Sequence, residues 1–143
     1  MKMVIMNNIE TIETFLKRYA KNLTDGNFDA IAKMYNYPAL AITARGCQAI
    51  ENEEQTRNFF KQGREFYFSR GITAIDITDV KEDASVPGIW VGRALLVNLN
   101  DKGERVGVEH NAYQIVALEN GEWRIAVTTP MDAYNSEQQS GVK

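Results

Sequence analysis

The stretch FLKRYAKNLTDGNFDAIAKMY, from Phe15 to Tyr35, predicts two helices joined by a tight break. Apolar residues in and just before its first part recur at spacings of three and four, which forms one stripe on a helix from about Ile9 to Leu23. Gly26 can adopt the left-handed conformation that ends a helix, and Asn27 can cap the next one. We expect Pro38 to end this second helix.

The remainder of the chain predicts a third helix and several strands. A short apolar run at Ala39–Ala44 is typical of a strand, with Gly46 as a break. Asn52 is placed to cap a helix at Glu53–Ser69, and Gln55 to make a capping-box contact. Beyond this helix the apolar residues alternate, which is typical of strands. The strands expected there are Ile72–Val80, Ile89–Leu99, Arg105–Leu118 and Trp123–Thr129.

Three further features refine this pattern. Lys81–Gly88 is polar and is expected to be an exposed loop, whereas Asn120-Gly121 predicts a hairpin turn. The strand at Ile89–Leu99 is apolar on both faces, which predicts cover on both sides. The third helix is expected to turn an aromatic face inward, with Gly63 allowing a close approach. Its aromatic residues are Phe59, Phe60, Phe66 and Tyr67.

This order of elements predicts an α+β roll. Consecutive antiparallel strands curl because sheets twist, and helices then fill the concave face. An apolar interior that is open at one end leaves a pocket between the helices and the sheet. We expect one domain over residues 1–143, with an ordered core at about 8–130 and a polar tail at 131–143.

Composition argues against several functional classes. The net charge is -3 and no basic cluster stands out, so nucleic acid is not an expected partner. Cys47 is the only cysteine and His110 the only histidine, which argues against a disulfide framework and a cysteine or histidine metal centre. The sequence shows no nucleotide loop or nucleophile elbow, and we expect no cofactor and no metal. We expect Cys47 to be a buried, inert thiol.

The N-terminal segment does not predict a membrane protein. Its longest apolar run, Met3–Met6, is shorter than the roughly 7–15 residues of a signal peptide and the roughly 20 of a membrane span. We therefore expect a cytoplasmic protein with no membrane partner.

The chain resembles the nuclear-transport-factor-2-like superfamily, in particular its SnoaL-like and ketosteroid-isomerase-like members. Three segments carry the resemblance: RYAKNLTDGNFDAIAKMY at Arg18–Tyr35, the third-helix segment, and ENGEWRI at Glu119–Ile125. The resemblance implies a cystatin-like roll, in which three helices pack on the concave face of a strongly curved antiparallel or mixed sheet. It specifies the function less well, because such folds serve both enzymes and non-catalytic binders.

The resemblance also implies residue roles. The isomerases have a tyrosine on the first helix that donates a hydrogen bond to an oxyanion, and Tyr19 matches it. Thr43 falls where those enzymes have a general-base aspartate, and Asn111 falls near the position of a protonated aspartate. Threonine cannot serve as a carboxylate base at neutral pH, so that specific isomerase chemistry is not expected. Asn111 can still donate a hydrogen bond through its amide.

The two faces of the strand at Arg105–Leu118 give different candidates. If the resemblance sets the inward face, Glu109, Asn111 and Tyr113 face the pocket, and Glu109 becomes a candidate base. If the other face is inward, His110 becomes the interior titratable group. The simpler alternative for Glu109 is that it faces solvent. For His110 it is a structural role as a hydrogen-bonding residue.

Further residues are candidates for ligand binding. Thr43, Phe59 and Tyr113 are expected to line the pocket. Arg93 can bind a ligand carboxylate or form a rim salt bridge, and Trp90 can face the ligand or serve as a core or dimer-interface aromatic.

Three hypotheses follow for the function. In the first, the domain binds a small apolar molecule in the roll. In the second, it is a cofactor-free isomerase, dehydratase or cyclase, with Tyr19 and Asn111 as oxyanion donors and Glu109 or His110 as base. In the third, it is a non-catalytic module that forms a homodimer through the apolar outer face of the sheet.

Overall fold

The computed structural model describes residues 10–131, in which three helices pack on one mixed sheet. The helices are α1 (Ile12–Asp25), α2 (Phe28–Ala32) and α3 (Glu53–Ser69). The strands are β1 (Tyr35–Thr43), β2 (Gly46–Ile50), β3 (Ala74–Val86), β4 (Ile89–Leu99), β5 (Arg105–Ala117) and β6 (Trp123–Pro130). This architecture confirms the predicted α+β roll.

The sheet has the strand order β2-β1-β6-β5-β4-β3. Strands β1 and β6 are parallel, and every other neighbouring pair is antiparallel. The core lies between the sheet and the apolar stripe of α1, whose inward residues Phe15, Leu16 and Tyr19 are buried against Ile115 and Ile125. Burial of that stripe from water is what holds α1 on the concave face.

The break at Gly26 forms as predicted. The starts of the two helices, however, differ from the prediction. Gly26 ends α1 with a φ of 69°. Helix α1 begins after Thr11, whose hydroxyl accepts a hydrogen bond from the Thr14 N–H at 3.1 Å. Asn27 precedes α2 but makes no side-chain capping bond. The expected start at Ile9 lies outside the described residues, as does most of the predicted polar tail.

Two predictions in the first half of the chain are wrong: the end of the second helix at Pro38 and the break at Gly46. Tyr35 already belongs to β1, so α2 ends before Pro38, and the Tyr37–Pro38 peptide bond is cis within that strand. Gly46 begins an edge strand rather than a break, because β2 pairs antiparallel with β1 from Thr43↔Gly46 to Ala39↔Ile50. Cys47 lies on this edge strand and is exposed, which corrects the prediction of a buried thiol.

The expected loop at Lys81–Gly88 is also mostly strand. Strand β3 continues to Val86 and pairs with β4 as far as Val86↔Ile89, with irregularities in register on the way. The polar composition of this segment reflects an edge strand, since strands at sheet edges are commonly protected by charged side chains.

Helix α3 stands away from the sheet along most of its length. It begins as predicted, with Asn52 Oδ1 accepting from the Gln55 N–H at 2.9 Å. Only Thr56 is fully buried in this 17-residue helix. Phe66 is largely exposed, and among residues 10–131 no atom lies close enough to Gly63 for it to serve a close approach.

The outer face of the sheet is apolar but only partly covered in the described chain. Along β4, Trp90, Ala94 and Leu96 are buried on the concave side, while Leu95 and Val97 on the outer side are half-buried. Within residues 10–131, helices cover only the concave side, which differs from the expected cover on both sides. A homodimer through the outer face stays a prediction.

We expect Gly26→Ala to lower the free energy of unfolding by about 2 kcal/mol, against about 1 kcal/mol for Gly103→Ala. Both glycines have positive φ, but only at Gly26 would a Cβ meet the guanidinium of Arg64, with Cζ at 2.8 Å. Displacing Arg64 breaks its hydrogen bond to the Thr24 carbonyl. Urea unfolding of both variants measures the difference.

A double substitution isolates the contribution of Arg64 to this loss. In an Arg64→Ala background, Gly26→Ala should cost the same as Gly103→Ala, because the displaced group is gone. Equal losses for the two glycine variants in the wild-type background would contradict this account.

Candidate functional site

A cavity of about 800 Å³ lies between α3, α1 and the concave face of the sheet. Aromatic and aliphatic side chains form most of its wall. From the helices these include Tyr19, Leu23, Phe28, Phe59 and Phe60, and from the sheet Ala41, Ile75, Leu96 and Tyr113. The cavity exists because α3 bridges over the sheet without packing down on it.

One carboxylate lies in the wall of this cavity. Glu109 Oε2 accepts a hydrogen bond from the Tyr67 hydroxyl at 2.7 Å and another from Asn98 Nδ2 at 2.9 Å. The second oxygen, Oε1, has no hydrogen-bond partner among residues 10–131. Two donors on one oxygen fix the orientation of the carboxylate and leave the other oxygen available to a bound molecule.

Two asparagines contribute unpaired polar atoms to the same wall. Asn111 Nδ2 donates to the Tyr113 hydroxyl at 3.2 Å. Asn111 Oδ1 and Asn98 Oδ1 are both buried without a hydrogen-bond partner in the described part of the chain. A buried acceptor of this kind costs about 1–3 kcal/mol when it is unpaired, so a donor that reaches it gains more than it would at an exposed site.

The buried phenols of Tyr19 and Tyr113 line the cavity, and Tyr35 is hydrogen-bonded to Tyr19. The hydroxyls of Tyr19 and Tyr35 lie 2.6 Å apart, and the Tyr19 ring contacts Phe60 and Tyr113 edge to face. Burial raises the pKa of Tyr19 well above its usual range, and the neighbouring Tyr35 raises it further. Burial likewise raises the pKa of Tyr113, opposed by the hydrogen bond from Asn111. These groups are therefore hydrogen-bond donors, and not anions, at neutral pH.

Tyr67 shares this behaviour at the carboxylate. Burial raises its pKa far above the ordinary value for a phenol, and the adjacent charge of Glu109 raises it further. The Tyr67 proton therefore stays on the phenol and is donated to Glu109 as a hydrogen bond.

Six of the predicted site residues line the cavity. These are Tyr19, Thr43, Phe59, Glu109, Asn111 and Tyr113. They come together because residues 109, 111 and 113 of β5 face inward, opposite Leu96, Ala94 and Gly92 of β4. This is the face that the resemblance favoured, and the roles of these residues stay predictions.

Three predicted site residues lie elsewhere. His110 is exposed on the outer face of β5, because alternate residues of a strand point to opposite sides. Arg93 is exposed and forms a salt bridge with Asp83 of the neighbouring strand at 3.2 Å, and neither residue lines the cavity. Trp90 is a core residue beside Trp123, at a separate small cavity of about 150 Å³.

Three of the cavity residues that were not sequence candidates have a part in the site: Tyr67, Asn98 and Arg64. Tyr67 was assigned to the inner face of α3 without a polar role. Asn98 carried a detectable signal, since it continues the buried face of Ala94 and Leu96 with an amide. Arg64, which also lines the cavity, carried none, because its position depends on how α3 lies across Gly26.

The described residues offer no evident metal centre. Within residues 10–131, no group of three histidine, cysteine, aspartate or glutamate side chains is placed to share an ion. In the same range, no helix combines the length and the hydropathy that crossing a bilayer requires.

Comparison with protein families relates the whole described chain to one group. A family model described as an NTF2-like protein (DUF6841) matches residues 9–133. Comparison with curated proteins finds none that matches this chain.

Solved structures show the same fold at low sequence identity. An NTF2-like protein with a cystatin-like fold from Novosphingobium aromaticivorans superposes with a TM-score of 0.66 at 13% identity, over 90% of this chain and 84% of that one. Aln2 from a Streptomyces species gives 0.66 at 10% identity, over 92% of this chain and 99% of its own. ActVI-ORFA from Streptomyces coelicolor gives 0.64 at 10% identity, over 82% and 89%. These likenesses concern the fold alone.

We expect most of the six tyrosines to resist ionisation at pH 11 while the protein is folded. The pKa values of Tyr19, Tyr35, Tyr67 and Tyr113 are all raised by burial. In the unfolded chain their pKa values return to about 10. Phenolate absorbance near 295 nm, compared in buffer and in urea, measures the ionised fraction.

The same shifts set the direction of the stability change. Above about pH 10 the unfolded chain loses phenolic protons that the folded chain retains, so the free energy of unfolding should fall as the pH rises. Ionisation of all six tyrosines at pH 11 with an unchanged far-ultraviolet circular dichroism spectrum would contradict the burial of these phenols.

Proposed function

We propose, from the premise that this chain belongs to the family of NTF2-like proteins (DUF6841), that it binds a small, largely apolar molecule in the cavity beneath α3. The observation that carries the proposal is the cavity of about 800 Å³, walled by aromatic and aliphatic side chains with a few polar groups among them. Small-molecule sites in proteins have this size and composition, typically about 300–1,000 Å³.

The polar groups indicate where such a molecule would be oriented. Glu109 Oε1 can accept a hydrogen bond from a bound molecule, and the Tyr113 hydroxyl proton has no acceptor among the described residues. A ligand with a hydroxyl, amide or carbonyl on an apolar frame can use both groups. An exclusively hydrocarbon ligand would leave them unpaired, which costs free energy.

We expect at least one of three probes, estradiol, 2-naphthol or decanoic acid, to raise the melting temperature. A ligand that binds only the folded state at 100 times its Kd stabilises it by about 2.7 kcal/mol. Leu96→Trp should abolish the effect by filling the cavity, whereas Leu95→Trp, one residue away on the outer face, should retain it. Circular dichroism of each variant verifies that it folds before the thermal series is compared. Stabilisation that survives Leu96→Trp but is lost in Leu95→Trp would contradict binding in the cavity.

A second candidate function is general-base catalysis without a cofactor. The observation that favours it is the carboxylate of Glu109, fixed by Tyr67 and Asn98 through one oxygen while the other stays unpaired within the described chain. A base held in this way can remove a proton from a carbon next to a carbonyl, and Tyr113 or Tyr19 can donate a hydrogen bond to the resulting enolate oxygen. Neither His110 nor Thr43 is needed for this arrangement.

Exchange of ligand protons for deuterium tests this second function. In deuterated buffer, the wild type should exchange the acidic carbon-bound protons of 2-tetralone faster than buffer alone, as followed by proton NMR. Glu109→Gln should slow the enzymatic exchange about 10²–10⁴-fold, since it removes the base but keeps the shape. His110→Gln is the matched control on the outer face and should leave the rate unchanged. Equal exchange by wild type and Glu109→Gln would refute the catalytic role.

A further inference from the structure

Arg64 combines a fixed position with unused hydrogen-bond donors. Its Nη2 donates to the Thr24 carbonyl at 2.9 Å. Its Nε–H is buried without an acceptor, and Nη1 has no acceptor among residues 10–131. Arg64 also lines the cavity described above. A guanidinium carries five N–H donors, so most of its binding capacity is unused.

Two neighbours hold this guanidinium in place. Its Cζ lies 4.5 Å from the centre of the Phe68 ring. On another side it lies against Gly26, where a Cβ would come within 2.8 Å of Cζ. A cation in contact with an aromatic ring and tied to a carbonyl loses little further entropy when it binds an anion.

Arg64 also lacks the acidic partner that several other arginines have. Arg57 pairs with Asp29 and Glu53, Arg93 with Asp83, and Arg124 with Glu122. Within the described part of the chain, no carboxylate lies within ion-pair distance of Arg64. An arginine beside a cavity and without a carboxylate of its own is suited to take one from a ligand.

The surroundings of Arg64 fit the apolar part of such a ligand. Five large hydrophobic side chains of the described chain are exposed, and three of them line the cavity: Phe66 at 54%, Phe68 at 46% and Val106 at 51%. Arg70 stacks on Phe66 at 4.6 Å and adds a second cation to this rim. An apolar rim that carries two cations matches a molecule with an apolar body and an anionic end.

We infer that the cavity takes amphipathic monocarboxylates, with the ligand carboxylate bound by Arg64 and the apolar body against the aromatic wall. This inference rests on the proposed binding function and names the class of ligand. Arg64 also has a structural contribution, because it donates to a carbonyl near the end of α1. The test therefore has to measure discrimination between ligands as well as stability.

Calorimetric titration with 2-naphthoic acid and its neutral analogue 2-naphthamide at pH 7 provides that test. The wild type should bind the acid about tenfold more tightly, as expected when a charged hydrogen bond replaces a neutral one. Arg64→Gln should reduce this preference to about onefold, mainly because the affinity for the acid falls more than that for the amide. Arg57→Gln, on the same helix but outside the cavity wall, should keep the preference, and Arg64→Lys should keep part of it.

The outcomes separate this inference from the proposed function. Equal affinity of the wild type for acid and amide would overturn the carboxylate assignment but leave small-molecule binding supported. A preference for the acid that survives in Arg64→Gln would likewise overturn it. An equal loss of both affinities in Arg64→Gln would assign Arg64 a purely structural role. Binding of neither compound, together with no response to the three thermal probes, would contradict the proposed function itself.

Discussion

Helix α3 is tied to the rest of the molecule by side-chain hydrogen bonds near both ends, and the cavity depends on that arrangement. Near its start, the hydroxyls of Thr56 and Tyr37 lie 2.6 Å apart. Near its end, Tyr67 donates to Glu109 at 2.7 Å. Between these contacts the helix buries no residue fully, so Phe59 and Phe60 face an open volume instead of a packed layer. A helix held at its ends keeps space beneath it that close packing would otherwise remove.

These contacts give the two carboxylate oxygens of Glu109 different roles. Glu109 Oε2 is used to tie α3 and β4 to β5, through Tyr67 and Asn98. Oε1 remains for a bound molecule. Structure and proposed chemistry thus depend on a single side chain, and a substitution such as Glu109→Gln has to be judged by both stability and function.

The sequence predicted the parts of the fold that depend on local patterns. The apolar stripe of α1, the left-handed Gly26 and the cap at Asn52 each involve residues within a few positions of one another. Strand β2 and the second half of β3 were missed because edge strands carry exposed polar side chains that look like loops. Cys47 was wrongly placed for the same reason.

The candidate site was harder to predict from the sequence because its residues are far apart along the chain. Apolar residues occur on both faces of β5, so periodicity alone could not choose between Glu109 and His110 as the inward group. The pairing of Tyr67 with Glu109 joins residues 42 positions apart, and that of Asn98 with Glu109 crosses a hairpin. Only the register of β4 with β5 and the path of α3 bring these groups together.

Methyl NMR of protein labelled at leucine, isoleucine and valine, titrated with whichever thermal probe stabilises it most, tests directly whether a ligand binds beneath α3. Leu95 and Leu96 are neighbours in sequence but lie on opposite faces of β4. If the ligand binds in the cavity, the methyl signals of Leu96 and Ile75, which line it, shift on binding while those of Leu95 and Val97 do not. Shifts confined to Leu95 and Val97 would place the ligand on the outer face and rule out binding in the cavity.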